Sequence, residues 1–144
     1  VTPAAVAKTV TEAMVINNGE SKTIAGIQVE AVPMYNLVRG PSACKLFHDK
    51  GRGNGYVLTL GGKRIYFSGD TESVPEMKAL KNIDIAFVTM NLPYTMPPEE
   101  APEGVKAFKP KIVYPYHYRN SDLNVFTNAL KDEKGIEVRL RNWY

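Results

Sequence analysis

The run from Gly55 to Asp70, "GYVLTLGGKRIYFSGD", constrains the fold of this chain more than any other segment. Two β-rich stretches flank Gly61-Gly62, and paired glycines in such a place are typical of a two-residue hairpin turn. The second stretch ends on a Gly-Asp-Thr corner, so a strand with buried character delivers the Asp70 carboxylate at its exit. The segment therefore predicts an antiparallel strand pair that ends on a candidate functional residue.

Strands and helices alternate after this hairpin. The runs "IDIAFVTM" (83–90) and "KIVYPYH" (111–117) are rich in apolar residues, as expected of strands that are buried on both faces. The remaining pattern predicts three helices and a last strand, over 74–81, 97–109, 121–133 and 136–143. Ser121 is the expected N-cap of the last helix.

The first part of the chain has a different pattern. "VTPAAVAKTV" predicts a helix with Thr2 as its N-cap and Pro3 at its first position. A short strand, a hairpin that turns at Ala25-Gly26 and a long loop are expected next, over 14–17, 21–33 and 35–54. Hairpins followed by alternating strands and helices predict an α/β (α+β) fold, with a mixed sheet and helices on one face.

Composition narrows the functional classes. The chain has 144 residues, enough for one domain, and we treat 1–144 as a single unit. The formal net charge is +3 with Lys and Arg scattered, so nucleic-acid binding is not expected. The single cysteine, Cys44, excludes an internal disulfide framework and fits a reducing, cytoplasmic compartment. No apolar stretch approaches the roughly 18 residues of a membrane span, so no membrane association is expected.

Asp70 and His117 are the first candidate site residues, because each ends a predicted strand of a sheet that helices cover. Asp70 is interpreted either as a metal-binding carboxylate or as the cap of a helix that begins near Ser73. His117 is interpreted either as a metal ligand, since neutral imidazole binds metals well, or as a hydrogen-bonded structural residue.

His48 is a further candidate. It lies in "KLFHDKGRGNGY", where the following glycines allow a close approach of the backbone to a ligand, and the alternative is a solvated loop histidine. Two dipeptides that follow predicted strands, Tyr35-Asn36 and Tyr94-Thr95, either line the same cleft or only form turns. The "GRGNG" run (51–55) leads into a strand and not a helix, which excludes a phosphate-binding loop.

The order of these motifs resembles the latter part of a metallo-β-lactamase-fold metal-dependent hydrolase, over residues 26–125. The most specific pieces are the Gly-Gly hairpin into Ser68-Gly69-Asp70-Thr71, the segment Tyr94-Thr95-Met96, and Lys109-Pro110-Lys111 before the strand that ends on His117. The resemblance implies a four-layer αββα sandwich with an active site at the edge of two sheets.

The resemblance also implies a metal site. Asp70 matches the carboxylate that bridges two metals and takes part in catalysis, His117 matches a ligand of the second metal, and His48 is the candidate ligand of the first. Two divalent ions, with zinc as the expected metal, would activate water against an ester, amide or phosphoester-type bond of a small-molecule substrate.

One departure from the family is large. The His-x-His-x-Asp-His run that supplies most metal ligands in the family is absent, and the chain has two histidines in all. Each metal needs about four ligands, so this chain alone is expected to bind metal weakly or not at all.

We therefore expect the C-terminal portion of a metallo-β-lactamase-like domain, inactive as this fragment. The alternative is a non-catalytic binding or oligomerisation module that retains the fold. A C-terminal portion alone would expose sheet surface that the rest of the domain normally covers. Exposed apolar surface favours association, so we expect a homo-oligomer or association with the missing N-terminal portion.

Overall fold

One mixed sheet organises the molecule, and the computed structural model describes residues 1–10 and 12–143. Within these residues seven strands are hydrogen-bonded in sequence order: β1 (Ser21–Ile24), β2 (Ile27–Met34), β3 (Gly53–Leu60), β4 (Lys63–Phe67), β5 (Ile85–Thr89), β6 (Ile112–Tyr116) and β7 (Glu137–Val138). The helices are α1 (Ala4–Ala7), α2 (Pro75–Lys78), α3 (Ala101–Phe108) and α4 (Leu123–Leu130). β1 to β4 pair antiparallel, and β4 to β7 pair parallel. The predicted mixed α/β sheet is confirmed.

Both predicted hairpin turns form, and their four central residues all have a left-handed backbone, three of them glycines. Ala25 and Gly26 have φ of 49° and 79°, and Gly61 and Gly62 have φ of 56° and 73°. Positive φ at both central residues is what a type I′ turn requires, and this turn matches the twist of the strands it joins. The register of β3 and β4 therefore follows directly from the glycine pair.

The first face of the sheet is covered by helices, as predicted. Its core combines sheet residues with α2, α3 and α4: Val57, Tyr66, Ala86, Val88, Val113, Met77, Val105, Phe108, Phe126 and Leu130. Tyr66 meets Phe108 edge to face, with ring centroids 5.7 Å apart. This packing joins the parallel strands to the helices in one core.

The opposite face, called here the second face, is also apolar. Strand register aligns one aromatic residue from each of four strands, Tyr56, Phe67, Phe87 and Tyr114. Phe87 stacks between Phe67 and Tyr114, with centroid distances of 4.7 and 5.2 Å. Ile16 covers part of the antiparallel region, and half-exposed Trp143 lies beside Phe87. Most of the parallel region of the second face is only half-buried.

The N-terminal helix and strand are shorter than predicted. α1 has four residues with Pro3 at its N-cap, because Thr2 instead forms a backbone bridge with Val15. Residues 14–17, predicted as a strand, contribute only this bridge. The loop predicted over 35–54 ends earlier, since β3 already begins at Gly53.

Two predictions near the C-terminus also need correction. Asp122, and not Ser121, caps α4, because the Asp122 Oδ1 accepts a hydrogen bond from the Asn124 N–H at 2.9 Å. The Ser121 hydroxyl donates to the Met90 carbonyl instead. The last strand is confined to β7, where it pairs with β6.

In the described part of the chain, no helix has the length and apolar character to cross a membrane.

Gly69 turns the chain directly after β4. Its φ is +64°, and a Cβ there would lie 2.7 Å from Met34 Sδ and 3.0 Å from the Asn54 carbonyl oxygen. Replacement by alanine therefore adds a steric clash to the cost of a left-handed backbone. Gly62 offers a matched comparison, because its φ is +73° and a Cβ there meets nothing within 4 Å.

We predict that Gly69→Ala lowers the free energy of unfolding by about 2–5 kcal/mol, from strain and overpacking together. Gly62→Ala should cost only the strain, about 1–2 kcal/mol. Urea unfolding of both variants measures the difference. Equal losses in the two variants would show that the Gly69 corner is not closely packed.

Candidate metal centre

Three parallel strands bring polar residues to one edge of the sheet. β4, β5 and β6 run in the same direction, so their carboxyl ends meet. Asp70 follows β4, Asn91 follows β5, and His117 is the first residue after β6. The topology explains why residues so distant in sequence become neighbours.

Asp70 lies between the two histidines of the chain. Its Oδ1 is 2.9 Å from His117 Nδ1, and its Oδ2 is 3.8 Å from His48 Nε2. All three side chains are partly exposed, between 25% and 34%. The structure therefore brings together the three residues that the sequence singles out.

The corner that carries Asp70 is fixed through its backbone. The Gly69 carbonyl accepts hydrogen bonds from the hydroxyls of Ser68 and Thr89, at 2.9 and 3.0 Å. The Gly69 N–H donates to the Tyr116 hydroxyl at 3.2 Å. Contacts from three neighbouring strand ends thus hold the peptide that precedes Asp70.

The helix-cap interpretation of Asp70 is wrong. α2 begins at Pro75, and the N-cap position belongs to Val74. Asp70 is directed at the histidines instead.

His117 is held from two sides. Its φ of 49° puts the backbone in the left-handed region directly after β6. An ionised carboxylate can only accept, so the contact with Asp70 requires a proton on His117 Nδ1. His117 Nε2 lies 3.0 Å from Asn91 Nδ2, and in this tautomer it accepts from the amide. The hydrogen-bonded interpretation of His117 therefore describes its contacts in this structure.

His48 reaches the site from the loop between β2 and β3. The loop pairs with itself there, because the Asn36 N–H donates to the His48 carbonyl at 2.9 Å. Asn36 Oδ1 accepts from the His48 N–H at 2.8 Å and lies 2.9 Å from His48 Nδ1. The solvated-loop interpretation of His48 is wrong, because its ring is anchored at Nδ1 and directed at Asp70.

A buried carboxylate ties this loop to the sheet. Glu72 is 3% exposed and accepts from the backbone N–H groups of Val38 and Arg39, at 3.3 and 2.8 Å. The Arg39 guanidinium also approaches Glu72, at 3.5 Å. Hydrogen bonds to Glu100 raise the pKa of Arg39 above its ordinary value, so this cation stays charged.

A second tie joins the start of the loop to the same strand end. The fully buried Thr71 Oγ1 accepts from the Tyr35 N–H at 3.2 Å and lies 3.0 Å from the Tyr35 carbonyl oxygen. The Tyr35 hydroxyl donates to Glu76 at 3.0 Å. Burial raises the pKa of Tyr35, and the hydrogen bond to Glu76 raises it further.

Sequence reasoning identified part of this network. Asn36 was a candidate only as half of a dipeptide that could equally form a turn. Glu72 and Asn91 were missed, because their partners lie 20 or more residues away in sequence. Glu72 did offer a signal, as an acid within two residues of the strand-end Asp70. Thr95 forms the turn that was its alternative, with its hydroxyl accepting from the Asn91 N–H.

The donors do not amount to a complete metal site. Over residues 1–10 and 12–143, no three His, Cys, Asp or Glu side chains are grouped so that they could hold a metal ion. Asp70 contacts each histidine separately, which makes two pairs and not one closed set of ligands.

Comparison with known proteins places the chain in a family. The family model described as beta-lactamase superfamily domain matches residues 2–117. The chain therefore belongs to this superfamily, in its branch of metallo-β-lactamase-fold metal-dependent hydrolases.

Curated relatives of this chain carry the name UPF0173 metal-dependent hydrolase. One, from Symbiobacterium thermophilum, is 35% identical over 114 residues, covering 74% of this chain and 49% of the relative. Another, from Pelotomaculum thermopropionicum, is 29% identical over 130 residues, covering 85% of this chain and 57% of the relative. The chain thus spans about half the length of these curated relatives.

Solved structures are similar over nearly the whole chain. A Parabacteroides distasonis protein named as a metal-dependent hydrolase is 43% identical with a TM-score of 0.89, over 97% of this chain and 62% of that one. Igni18 from Ignicoccus hospitalis has a TM-score of 0.77 at 22% identity, over 96% of this chain and 63% of that one, and supports the fold alone.

The tie between Thr71 and Tyr35 generates a stability prediction. Thr71→Val keeps the shape of the side chain but leaves the buried Tyr35 N–H unpaired, so the free energy of unfolding should fall by about 1–3 kcal/mol. Thr127→Val, at an exposed hydroxyl on α4, should change it by no more than about 0.5 kcal/mol. Guanidinium unfolding distinguishes the two. A Thr71→Val loss as small as that of Thr127→Val would contradict the proposed tie.

Proposed function

We propose that this chain is part of a metal-dependent hydrolase in which Asp70, His48 and His117 help to hold divalent ions. The observation that carries the proposal is the position of Asp70, whose two carboxylate oxygens face different imidazole rings. Two imidazole rings beside one carboxylate bring three groups that commonly bind zinc to one place. The names of the relatives support the same activity.

The distance between Asp70 and His48 is compatible with one shared cation. Oδ2 and Nε2 are 3.8 Å apart, which is too long for a hydrogen bond. Two ligands of one tetrahedral zinc ion, each bound at about 2.0–2.2 Å, lie about 3.3–3.6 Å apart, so a small shift of either side chain would bring both onto one ion. Carboxylate oxygen and imidazole nitrogen are both ordinary zinc ligands. The donors present therefore fit part of a metal site.

The chain's own residues would position the reaction. A bound divalent ion makes water a nucleophile at neutral pH, able to attack an ester, amide or phosphoester-type bond of a small molecule. Asp70 would help to hold the ions and would offset their positive charge. The contacts at Gly69 would keep the carboxylate in place.

The remaining ligands belong to segments outside this sequence in our proposal. Two histidines and one aspartate cannot complete two metal centres. The relatives are about twice as long as the region they share with this chain, which leaves room for further ligands. We propose two ions, with zinc as the metal, and a reducing, cytoplasmic setting that fits the free, exposed Cys44.

Asp70→Asn tests the proposal in the full-length protein that contains this chain. The substitution removes one anionic ligand atom and the negative charge, so bound metal should be lost and hydrolysis should fall by more than about 100-fold. Metal content by mass spectrometry and turnover of a panel of ester, lactam and phosphodiester substrates measure both effects.

Asp132→Asn is the matched control, since Asp132 is an exposed carboxylate distant in sequence from the strand ends. It should retain metal and activity. Full metal content and turnover in the Asp70→Asn protein would remove Asp70 from the site.

The second face supports a separate proposal, that the 144-residue chain on its own associates with a second copy. Four aromatic residues lie half-buried on that face, together with the aligned aliphatic residues Leu58, Ile65, Ile85 and Ile112. Exposed apolar surface of this kind favours association with another apolar surface. The longer relatives have additional chain that could cover it, whereas the isolated chain has only a copy of itself.

We predict that the isolated chain sediments as a dimer or larger species, and that Phe67→Thr/Phe87→Thr shifts it towards monomer. Both residues face away from the helix-covered core, and threonine keeps the strand propensity. Val38→Thr, at a loop position that is 78% exposed, should leave the association unchanged. A wild-type monomer in analytical ultracentrifugation at micromolar concentration would overturn the proposal.

A further inference from the structure

We infer that Asn36 and Glu72 are positioning residues that hold His48 in a single tautomer, with the proton on Nδ1 and the Nε2 lone pair directed towards Asp70. The tautomer follows from hydrogen-bond geometry and does not depend on a metal. Its consequence for metal affinity rests on the proposed function.

The orientation of the Asn36 amide is determined by its neighbours. Asn36 Nδ2 lies 2.9 Å from the Tyr94 carbonyl oxygen and 3.0 Å from Glu72 Oε1, and both of these atoms accept hydrogen bonds. Asn36 Oδ1 lies 2.8 Å from the His48 backbone nitrogen, which can only donate. The opposite orientation would set the amide oxygen against two acceptors and the NH₂ group against an N–H.

The amide oxygen then fixes the proton on His48. Oδ1 is 2.9 Å from His48 Nδ1, and an amide oxygen can only accept. The proton of the neutral ring must therefore be on Nδ1, which leaves Nε2 as a lone-pair donor. Metal-binding histidines commonly donate their other ring N–H to an oxygen in this way, which sets both tautomer and ring orientation.

Glu72 helps to fix the orientation of the Asn36 amide. Its Oε1 accepts from Asn36 Nδ2 and from the Arg39 N–H, at 3.0 and 2.8 Å. A carboxylate offers no competing proton, so the Asn36 NH₂ group has to face it. Because Glu72 lies two residues after Asp70, the strand end that carries one candidate ligand also orients the other. The buried pair of Asn36 and Glu72 thus couples the loop histidine to the sheet.

The test reads the tautomer directly. In the ¹⁵N-histidine-labelled chain at alkaline pH, long-range ¹H–¹⁵N spectra should show a protonated Nδ1 and an unprotonated Nε2 for His48. Asn36→Ala should remove this preference and leave His117 unchanged. Asn91→Ala is the matched control, because it removes an asparagine beside His117 and should leave the His48 tautomer as it is.

The wild-type chain provides a test that needs no substitution, because its His48 tautomer is read directly. The wild-type spectrum therefore decides the inference if Asn36→Ala does not fold. A wild-type His48 protonated at Nε2, or an unchanged tautomer in Asn36→Ala, would overturn the inference.

Metal affinity supplies a separate outcome. In the full-length protein, Asn36→Ala should weaken Zn²⁺ binding by about 10–100-fold, measured by competition with a chromogenic chelator. If the His48 tautomer is as inferred but the wild type binds no Zn²⁺, the proposed function fails while the tautomer assignment stands. If Zn²⁺ binds equally well to the wild type and to Asn36→Ala, the positioning role is overturned.

Discussion

A buried carboxylate determines how the histidine loop meets the sheet. Glu72 is almost fully removed from solvent, and such a charge is tolerated only where donors replace the lost water. The backbone of Val38 and Arg39 and the amide of Asn36 supply those donors. Displacement of the loop would therefore leave the buried Glu72 carboxylate without these hydrogen bonds. Since Glu72 follows Asp70 by two positions, the loop docks where the strand-end carboxylate emerges. The distance between His48 and Asp70 is a consequence of this anchoring.

The parallel part of the sheet explains the rest of the site. Parallel strands with helices on one face deliver all their carboxyl ends to one edge, and β4, β5 and β6 each place a polar residue there. β5 and β6 are apolar on both faces, which is why their sequences are nearly unbroken hydrophobic runs. One of these faces packs against helices, and the other presents the aromatic row around Phe87. The sheet edge that holds the candidate metal ligands therefore lies between two apolar surfaces.

The parts of the fold that were predictable depend on local rules. Gly61-Gly62 specifies a hairpin turn by itself, and the strand ends at Asp70 and His117 follow from the pattern of apolar runs. The N-caps were predicted less well, because Ser121 and Asp122 are both good caps and a tertiary contact with Met90 engages the serine. Asn36 and Glu72 could not be paired from the sequence, since their contact depends on the path of the whole loop between β2 and β3. Propensity determines local elements, whereas this contact depends on where a long loop packs.

The two histidines differ in what metal binding would require of them. His48 is bonded at Nδ1, so in the inferred tautomer its Nε2 can bind a cation without losing the contact with Asn36. Both ring nitrogens of His117 are engaged, one with Asp70 and the other with Asn91. A metal that binds His117 must therefore exchange one of these hydrogen bonds, while a metal that binds His48 meets an oriented lone pair. The free-energy cost of metal binding that comes from breaking hydrogen bonds therefore falls mainly on His117. His48 is already oriented by the buried pair of Asn36 and Glu72.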